Sequence, residues 1–274
     1  MTLVTLAEVL GPALREGYAV PGLVCLGWED ARAYVRAAEA ERAPVILQAG
    51  PGARAHMPVA VWGAMFRALG EAASVPVVAH LDHGLSVEDA QAAIGAGFTS
   101  VMIDGSALPL AQNIDLTAKV VALAHAAGVS CVVGYAGGKA SSGTDPEEAA
   151  RFAELTGVDA LAVSVGNVHL QEGAGAGLDL GLLRRIEAVT EVPLVIHGGS
   201  GVPLAQRAAL SAGSRIAKFN IGTELRMAFG AALRETLARD PARFDRIAIL
   251  RDTEEPVMQA ARAVFRGLGA SGRV

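Results

Sequence analysis

Val77-Val78-Ala79-His80-Leu81-Asp82-His83-Gly84 is an apolar run that ends in polar side chains and a glycine. This pattern is typical of a buried strand in a parallel sheet, at the point where the strand reaches its carboxyl end. In α/β folds that end is where ligands bind and where chemistry takes place. Successive side chains of an extended strand point to opposite faces, so we expect a turn at Gly84 to bring Asp82 and His83 to one site.

Short apolar runs alternate with longer amphipathic ones along the rest of the chain. The apolar runs predict eight strands: Ala19 to Val24, Val45 to Gln48, Val77 to His80, Ser100 to Ile103, Val129 to Val133, Ala160 to Ser164, Leu194 to Ile196 and Ile216 to Asn220. Each is followed by a stretch with helical periodicity. The chain has 274 residues, so we predict a single α/β domain, a closed (β/α)8 TIM barrel over residues 1–274, with a helical C-terminal extension. An open doubly wound sheet is the alternative, although no Gly-x-Gly-x-x-Gly follows the first strand.

Composition restricts the partners of the chain. Hydrophobic residues make up 52% and charged residues 19%, and the formal net charge is −5 without a basic cluster. We therefore expect no nucleic-acid partner, and no apolar run is long enough to predict a membrane span. Cys25 and Cys131 lie in apolar runs and are predicted to be buried thiols, which favours a reducing, cytoplasmic location.

Three histidines are predicted to meet at the mouth of the barrel, because each follows a different strand. They are His83 after the third strand, His169 in Gly166-Asn167-Val168-His169, and His197 at the start of His197-Gly198-Gly199-Ser200-Gly201. Three imidazoles with one open position form a known catalytic zinc arrangement. Taken singly, each histidine is more often structural. Of the others, we expect His56 in a loop, His80 inside a strand and His125 late in a helix.

Two glycine-containing loops suggest a phosphate site. Gly198 to Gly201 leads into a helix, and Asn220-Ile221-Gly222-Thr223 follows the last strand. In barrels the loops after the last two strands frequently bind phosphate through backbone amides and a helix N-terminus. The alternative is that both loops are only connections.

These motifs together resemble those of the class II, zinc-dependent ketose-bisphosphate aldolases, especially the fructose- and tagatose-bisphosphate branch. The resemblance runs from about Val4 to the helix after Thr223. It is carried by His80-Leu81-Asp82-His83-Gly84, Met102-Ile103-Asp104-Gly105-Ser106, Gly166-Asn167-Val168-His169, His197-Gly198-Gly199-Ser200-Gly201-Val202-Pro203 and Lys218-Phe219-Asn220-Ile221.

The resemblance implies retro-aldol cleavage of a phosphorylated ketose, or a related sugar acid, through a zinc-stabilised enediolate. It implies one Zn²⁺ per subunit on His83, His169 and His197, and it allows a monovalent cation as well. Asp82 would be the acid and base, and Asp104 would lie near a secondary metal site. The implied phosphate-binding residues are Gly198, Gly199, Ser200, Asn220, Ile221, Gly222 and Thr223.

The sequence departs from the family pattern where a catalytic glutamate is expected. Ser130-Cys131-Val132-Val133-Gly134 replaces Glu-x-Glu-Leu-Gly, and the next loop contains Lys139-Ala140 without the acid. Glu172, Asp145 or Glu147 could replace it from a closing loop. An unusual substrate is therefore favoured over fructose 1,6-bisphosphate. The alternatives are a zinc-dependent sugar-phosphate epimerase or isomerase and a non-catalytic sugar-phosphate-binding homologue.

The C-terminal helical region carries more apolar side chains than a barrel needs. They are Met227, Phe229, Leu233 and Leu237. We therefore expect a homodimer or homotetramer.

Overall fold

A computed structural model describes residues 2–135, 143–166 and 177–274. These residues form a closed barrel of parallel strands in the order β1 to β8. The strands are β1 Val20–Val24, β2 Val45–Ala49, β3 Val77–Gly84, β4 Ser100–Asp104, β5 Ser130–Tyr135, β6 Ala160–Val163, β7 Leu194–Ile196 and β8 Ile216–Ile221. The predicted (β/α)8 barrel is confirmed, and all eight carboxyl ends open at one face.

The helices surround the barrel. They are α1 Leu6–Glu16, α2 Trp28–Glu41, α3 Pro51–His56, α4 Val59–Ala72, α5 Val87–Gly95, α6 Leu110–Ala126, α7 Pro146–Thr156, α8 Leu180–Glu187, α9 Leu204–Gly213, α10 Thr223–Arg239 and α11 Arg246–Gly267. The expectation for His56 was wrong, because this residue ends the short helix α3 rather than lying in a loop. Pro51 begins α3. The amide of the first helical residue makes no hydrogen bond within the helix, so a proline loses none there, and its fixed φ suits the helix. His80 and His125 lie in β3 and α6, as predicted.

Local signals explain where the helices begin. The Thr5 side chain accepts from the amide of Glu8, whose own side chain accepts from the amide of Thr5, which is a capping box at the start of α1. Asp145 caps α7 through the amide of Glu148, and Pro146 follows at the first helical position. The Asp145 carboxylate is therefore already used by its own helix.

The C-terminal helical extension consists of two helices, α10 and α11. Residues 240–245 separate α10 from α11, and Asp245 caps α11 by accepting from the amide of Ala248. Phe229 packs against the core, whereas Met227 and Leu237 are exposed. The expected excess of apolar surface is therefore only partly present on α10.

Val, Leu, Ile and Ala side chains fill most of the core, as the low aromatic content predicts. Cys25 and Cys131 are buried and not joined to each other. Within residues 2–135, 143–166 and 177–274, no helix has the length and apolar character needed to cross a membrane.

Candidate active site

The end of β3 presents two neighbouring polar side chains to the same cavity. The strand continues to Gly84, and its pairing with β4 shifts in register between Leu81 and Gly84. His83 has a φ of +52°, so the left-handed residue is the histidine itself rather than Gly84, where we expected the turn. This break in the alternation lets Asp82 and His83 line one cavity of about 220 Å³.

Arg54 holds this irregular strand end in place from α3. Its guanidinium donates to the carbonyl oxygen of Ala49 at 2.7 Å, to that of His83 at 2.9 Å and to that of Asp82. These bonds satisfy carbonyl groups that a regular strand pairing would otherwise satisfy. Nothing in the sequence around Arg54 indicated this role, because the contact depends on how α3 packs against β3.

His83 and His197 meet at the mouth of the barrel. His83 Nε2 lies 3.1 Å from His197 Nδ1. Two ring nitrogens bound to one zinc ion at about 2.0–2.1 Å in a tetrahedral arrangement lie roughly 3.3 Å apart, so the pair fits a shared metal. Asp82 adds a carboxylate, and the ligand atoms of the three residues lie within 4.8 Å of one another. His169, the third predicted ligand, lies outside the described residues.

Asp104 accepts a hydrogen bond from the other ring nitrogen of His83. Its Oδ2 lies 2.7 Å from His83 Nδ1, and its Oδ1 accepts from the amide of Ser106 at 3.1 Å. Burial alone would raise the pKa of Asp104, but these hydrogen bonds outweigh it and lower that pKa to about 2. The ionised carboxylate keeps the proton on Nδ1, which leaves Nε2 as the nitrogen that can bind a metal. The side-chain contact of Asp104 is thus with His83, one of the predicted metal ligands, and a role of Asp104 near a secondary metal site stays a prediction.

Asp82 is buried beside this pair. Asn220, at the end of β8, donates from Nδ2 to Asp82 Oδ1 at 3.3 Å, and the same nitrogen lies 3.2 Å from His197 Nε2. His80 Nε2 lies 4.0 Å from Asp82 Oδ1 on the inner side. Burial, and then the nearby charge of Lys218, lowers the pKa of His80 well below its usual value, so His80 is neutral at pH 7.

The two glycine-containing loops lie side by side, and both line the cavity. Gly198 has a φ of +64° and begins a short 3₁₀ turn, Gly199–Gly201. Ser200 Oγ accepts from the amides of Gly222 and Glu224 at the start of α10, at 3.3 and 3.4 Å. Buried Arg207 joins the same elements, because it pairs with Glu224 at 2.7 Å and donates to the carbonyl oxygen of Val202. A helix N-terminus beside such a loop provides donors for an anion.

The predicted phosphate-binding residues separate into two groups. Those that line the cavity are Gly198, Ser200, Asn220, Gly222 and Thr223. Gly199 and Ile221 are buried and do not line the cavity, and a Cβ at Gly199 would lie 2.9 Å from Ile221 Cδ1. Arg226 also lines the cavity and was not predicted, although its position one turn into α10 is a detectable signal.

The structure describes only part of the segment that departs from the family pattern. Val132, an apolar residue where the pattern has a glutamate, is fully buried in β5. Lys139, Ala140 and Glu172 lie outside the described residues.

Comparisons with known proteins point to one family. The family model described as fructose-bisphosphate aldolase class-II matches residues 4–273. The chain is 38% identical to a fructose-bisphosphate aldolase of Geobacillus stearothermophilus over 286 aligned positions, covering all of this chain and 99% of the relative. It is 37% identical to a 6-phospho-5-dehydro-2-deoxy-D-gluconate aldolase of Shouchella clausii, covering all of this chain and 97% of the relative.

A solved structure gives the same result. The X-ray structure of the YdjI aldolase from Escherichia coli K12 superposes with a TM-score of 0.88 at 31% identity, over 98% of each chain. Family model, relatives and solved structure name the same class of enzyme. The chain therefore belongs to the class II fructose-bisphosphate aldolase family, a family of metal-dependent lyases that cleave phosphorylated sugars by retro-aldol chemistry.

Proposed function

We propose that this family member is a zinc-dependent aldehyde-lyase that cleaves a phosphorylated ketose or a related sugar acid. The observation that carries the proposal is the pair of ring nitrogens, His83 Nε2 and His197 Nδ1, 3.1 Å apart beside Asp82. The cavity that they line extends to Ser200 and to the start of α10. One small phosphorylated molecule can therefore contact the histidine pair and the glycine-containing loops at the same time.

His83 and His197 would hold one zinc ion per subunit, and the resemblance adds His169 as the third ligand. Bound zinc supplies a Lewis acid that polarises the ketose carbonyl, which is worth several kcal/mol in related chemistry. The chain itself prepares this site. Asp104 keeps the His83 proton on Nδ1, and Arg54 holds the backbone of the strand end.

Asp82 would remove the proton from the hydroxyl group at the bond that breaks and return it in the reverse direction. Its carboxylate lies next to the metal ligands, and Asn220 donates to one of its oxygens. Gly50 lines the same cavity, and a Cβ at Gly50 would lie 3.7 Å from the other carboxylate oxygen, Oδ2. General acid–base catalysis of this kind typically contributes about 10²- to 10⁴-fold.

The phosphate would bind between the two glycine-containing loops. The Ser200 hydroxyl group lines the cavity and can donate to an anion while it accepts from the amides of Gly222 and Glu224. The dipole of α10 favours an anion at its start. Arg226 lines the same part of the cavity and provides the positive charge. Gly199 and Ile221 would support the loop from behind.

The substrate is the finer part of the proposal. The two relatives named above act on different sugars, so family membership does not select one. Val132 is apolar and buried where the family pattern has an acid, which supports a substrate other than fructose 1,6-bisphosphate. We also propose a cytoplasmic homodimer or homotetramer, supported by the free thiols and by exposed Met227 on α10.

The deciding experiment is metal analysis of the purified protein together with a screen of phosphorylated ketoses and sugar acids for triose-phosphate release. We expect one zinc ion per chain and release of triose phosphate from at least one substrate. His197→Ala should lower metal content and activity together, and full metal occupancy in that variant would refute the ligand assignment. Exchange of substrate protons for deuterium without carbon–carbon cleavage would instead identify an epimerase. Binding without any product would identify a non-catalytic homologue.

A further inference from the structure

Lys218 is a buried lysine that the proposed mechanism does not use. It lies on β8 inside the barrel, its side chain is fully buried, and it forms no ion pair with any described carboxylate. Burial lowers its pKa to about 8, although the charge of Asp82 opposes this. Because burying an amine away from water is costly, its presence at the centre of the barrel requires a reason.

The only hydrogen bond that Lys218 makes with a described residue is to Asn220. Lys218 Nζ donates to Asn220 Oδ1 at 2.7 Å. An ammonium group has donors only, so the oxygen of the amide must face Lys218 and the nitrogen must face the other way. Asn220 Nδ2 is then the atom that lies 3.3 Å from Asp82 Oδ1.

The metal-bound form of the site makes an anchor for the Asn220 amide necessary. When His197 binds a metal through Nδ1, its Nε2 carries a proton and cannot accept from Asn220 Nδ2, which lies 3.2 Å away. That proton alone would favour a flipped amide, whose oxygen could accept it but would then face the Asp82 carboxylate, which repels it. Donation from Lys218 to Asn220 Oδ1 opposes the flip and keeps Nδ2 toward Asp82.

Gly22 leaves room for the Lys218 side chain, and the polar side chains nearby do not bond to Asn220 in its place. Gly22 on β1 pairs in register with Asn220, and a Cβ at Gly22 would lie 2.9 Å from Lys218 Cε and 2.1 Å from Gln48 Oε1. Among the described residues, the amide atoms of Gln48 and the Nε2 of His80 have no hydrogen-bond partner. Neither side chain therefore anchors Asn220, and that role is left to Lys218.

We propose that Lys218 is a positioning residue that fixes the orientation of the Asn220 amide, so that Asn220 donates to Asp82 and holds its carboxylate toward the reacting hydroxyl group. This inference rests on the proposed function, because it takes Asp82 to be the group that moves the proton. Lys218 itself does not line the cavity and does not contact the substrate.

A double-mutant cycle between Lys218→Met and Asn220→Ala tests the proposal. Methionine has nearly the length of lysine but no donor. We expect Lys218→Met to lower kcat by roughly 10- to 100-fold, the scale of a small misplacement of a catalytic group, with a much smaller change in KM. In the Asn220→Ala background the same substitution should change kcat by less than about 3-fold, because the residue it acts through is gone. Equal losses in both backgrounds would overturn the proposal.

Stability provides a readout that separates positioning from a structural role. Lys218→Met removes a buried amine, so the melting temperature should stay equal to that of the parent or rise while kcat falls. A melting temperature that falls in step with kcat would assign Lys218 a structural role instead. Should Lys218→Met fail to fold, Lys218→Leu is a second variant without a donor for the same cycle. Lys119→Met is the matched control, since Lys119 is exposed on α6, and it should leave kcat unchanged.

A measurement without substrate keeps this inference separate from the proposed function. The side-chain amide signals of Asn220, assigned in ¹⁵N spectra from their loss in Asn220→Ala, should shift and broaden in Lys218→Met because the amide is free to flip. Unchanged signals would refute the role of Lys218. If the parent chain releases no triose phosphate from any substrate, the proposed function fails, and the amide signals still decide what Lys218 does.

Discussion

Asp104→Asn tests how the site prepares His83 to bind a metal. The variant keeps the size of the side chain and replaces a carboxylate with a neutral amide. In the parent, Asp104 Oδ2 lies 2.7 Å from His83 Nδ1, and the carboxylate is ionised because its pKa is lowered to about 2. An amide oxygen can still accept from Nδ1, but without the charge that strengthens the bond.

The size of the effect follows from the two kinds of hydrogen bond. A charge-assisted bond contributes about 1.5–3 kcal/mol and a neutral bond about 0.5–1.5 kcal/mol. A difference of about 1–1.5 kcal/mol corresponds to a zinc Kd raised by about 5- to 12-fold. This agrees with the lower end of the roughly 10- to 100-fold losses seen when the partner of a metal-binding histidine is changed.

The assay is a competition titration of zinc against a chelator of known affinity, with the stoichiometry measured on the same samples. Asp159→Asn is the matched control, because Asp159 makes the same kind of contact with His125, at 2.9 Å, away from the site. The control should bind zinc like the parent. An unchanged zinc Kd in Asp104→Asn would refute the role given to Asp104. Loss of a second zinc equivalent, with the first unchanged, would instead assign Asp104 to a secondary metal site.

Three further substitutions test other parts of the structure. Asp82→Asn should bind zinc with the parent's stoichiometry and lose about 10²- to 10⁴-fold in kcat, and unchanged turnover would remove Asp82 from the mechanism. Arg54→Met removes the donors to three strand-end carbonyl groups. The free energy of unfolding should therefore fall by about 2 kcal/mol, and zinc should bind more weakly. Arg67→Met, on the exposed face of α4, is the control and should change neither the free energy of unfolding nor the zinc affinity. Glu41 joins α2 to two arginines of α11, and although burial opposes the shift, their hydrogen bonds lower its pKa to about 2. The stabilisation by ionised Glu41 is therefore complete above about pH 4.5 and is lost toward pH 2. Between pH 6 and 2.5 the free energy of unfolding of the parent should fall by about 1 kcal/mol more than that of Glu41→Gln, after allowance for solvent screening. Urea unfolding at several pH values measures this, and equal pH profiles would contradict it.

Much of the fold could be predicted because its signals are local. The strand at Leu194–Ile196 begins and ends where the sequence pattern predicts, and the other strands lie within a few residues of their predicted bounds. Apolar runs between helical periods require a buried parallel sheet, and eight of them close into a barrel. The short helix after Pro51 was missed because six residues carry too little periodicity to be recognised.

The sequence by itself determined which residue types reach the mouth of the barrel, because parallel strands deliver their carboxyl ends to one face whatever their order of packing. Only the tertiary structure decided what those residues do to one another. The contact of Arg54 with the end of β3, the approach of His83 to His197 and the bond from Asn220 to Asp82 join segments distant in the chain. The periodicity of the sequence does not predict such contacts. A hydrogen bond depends on donor and acceptor positions to within a few tenths of an ångström, and these positions are set only when the barrel has closed.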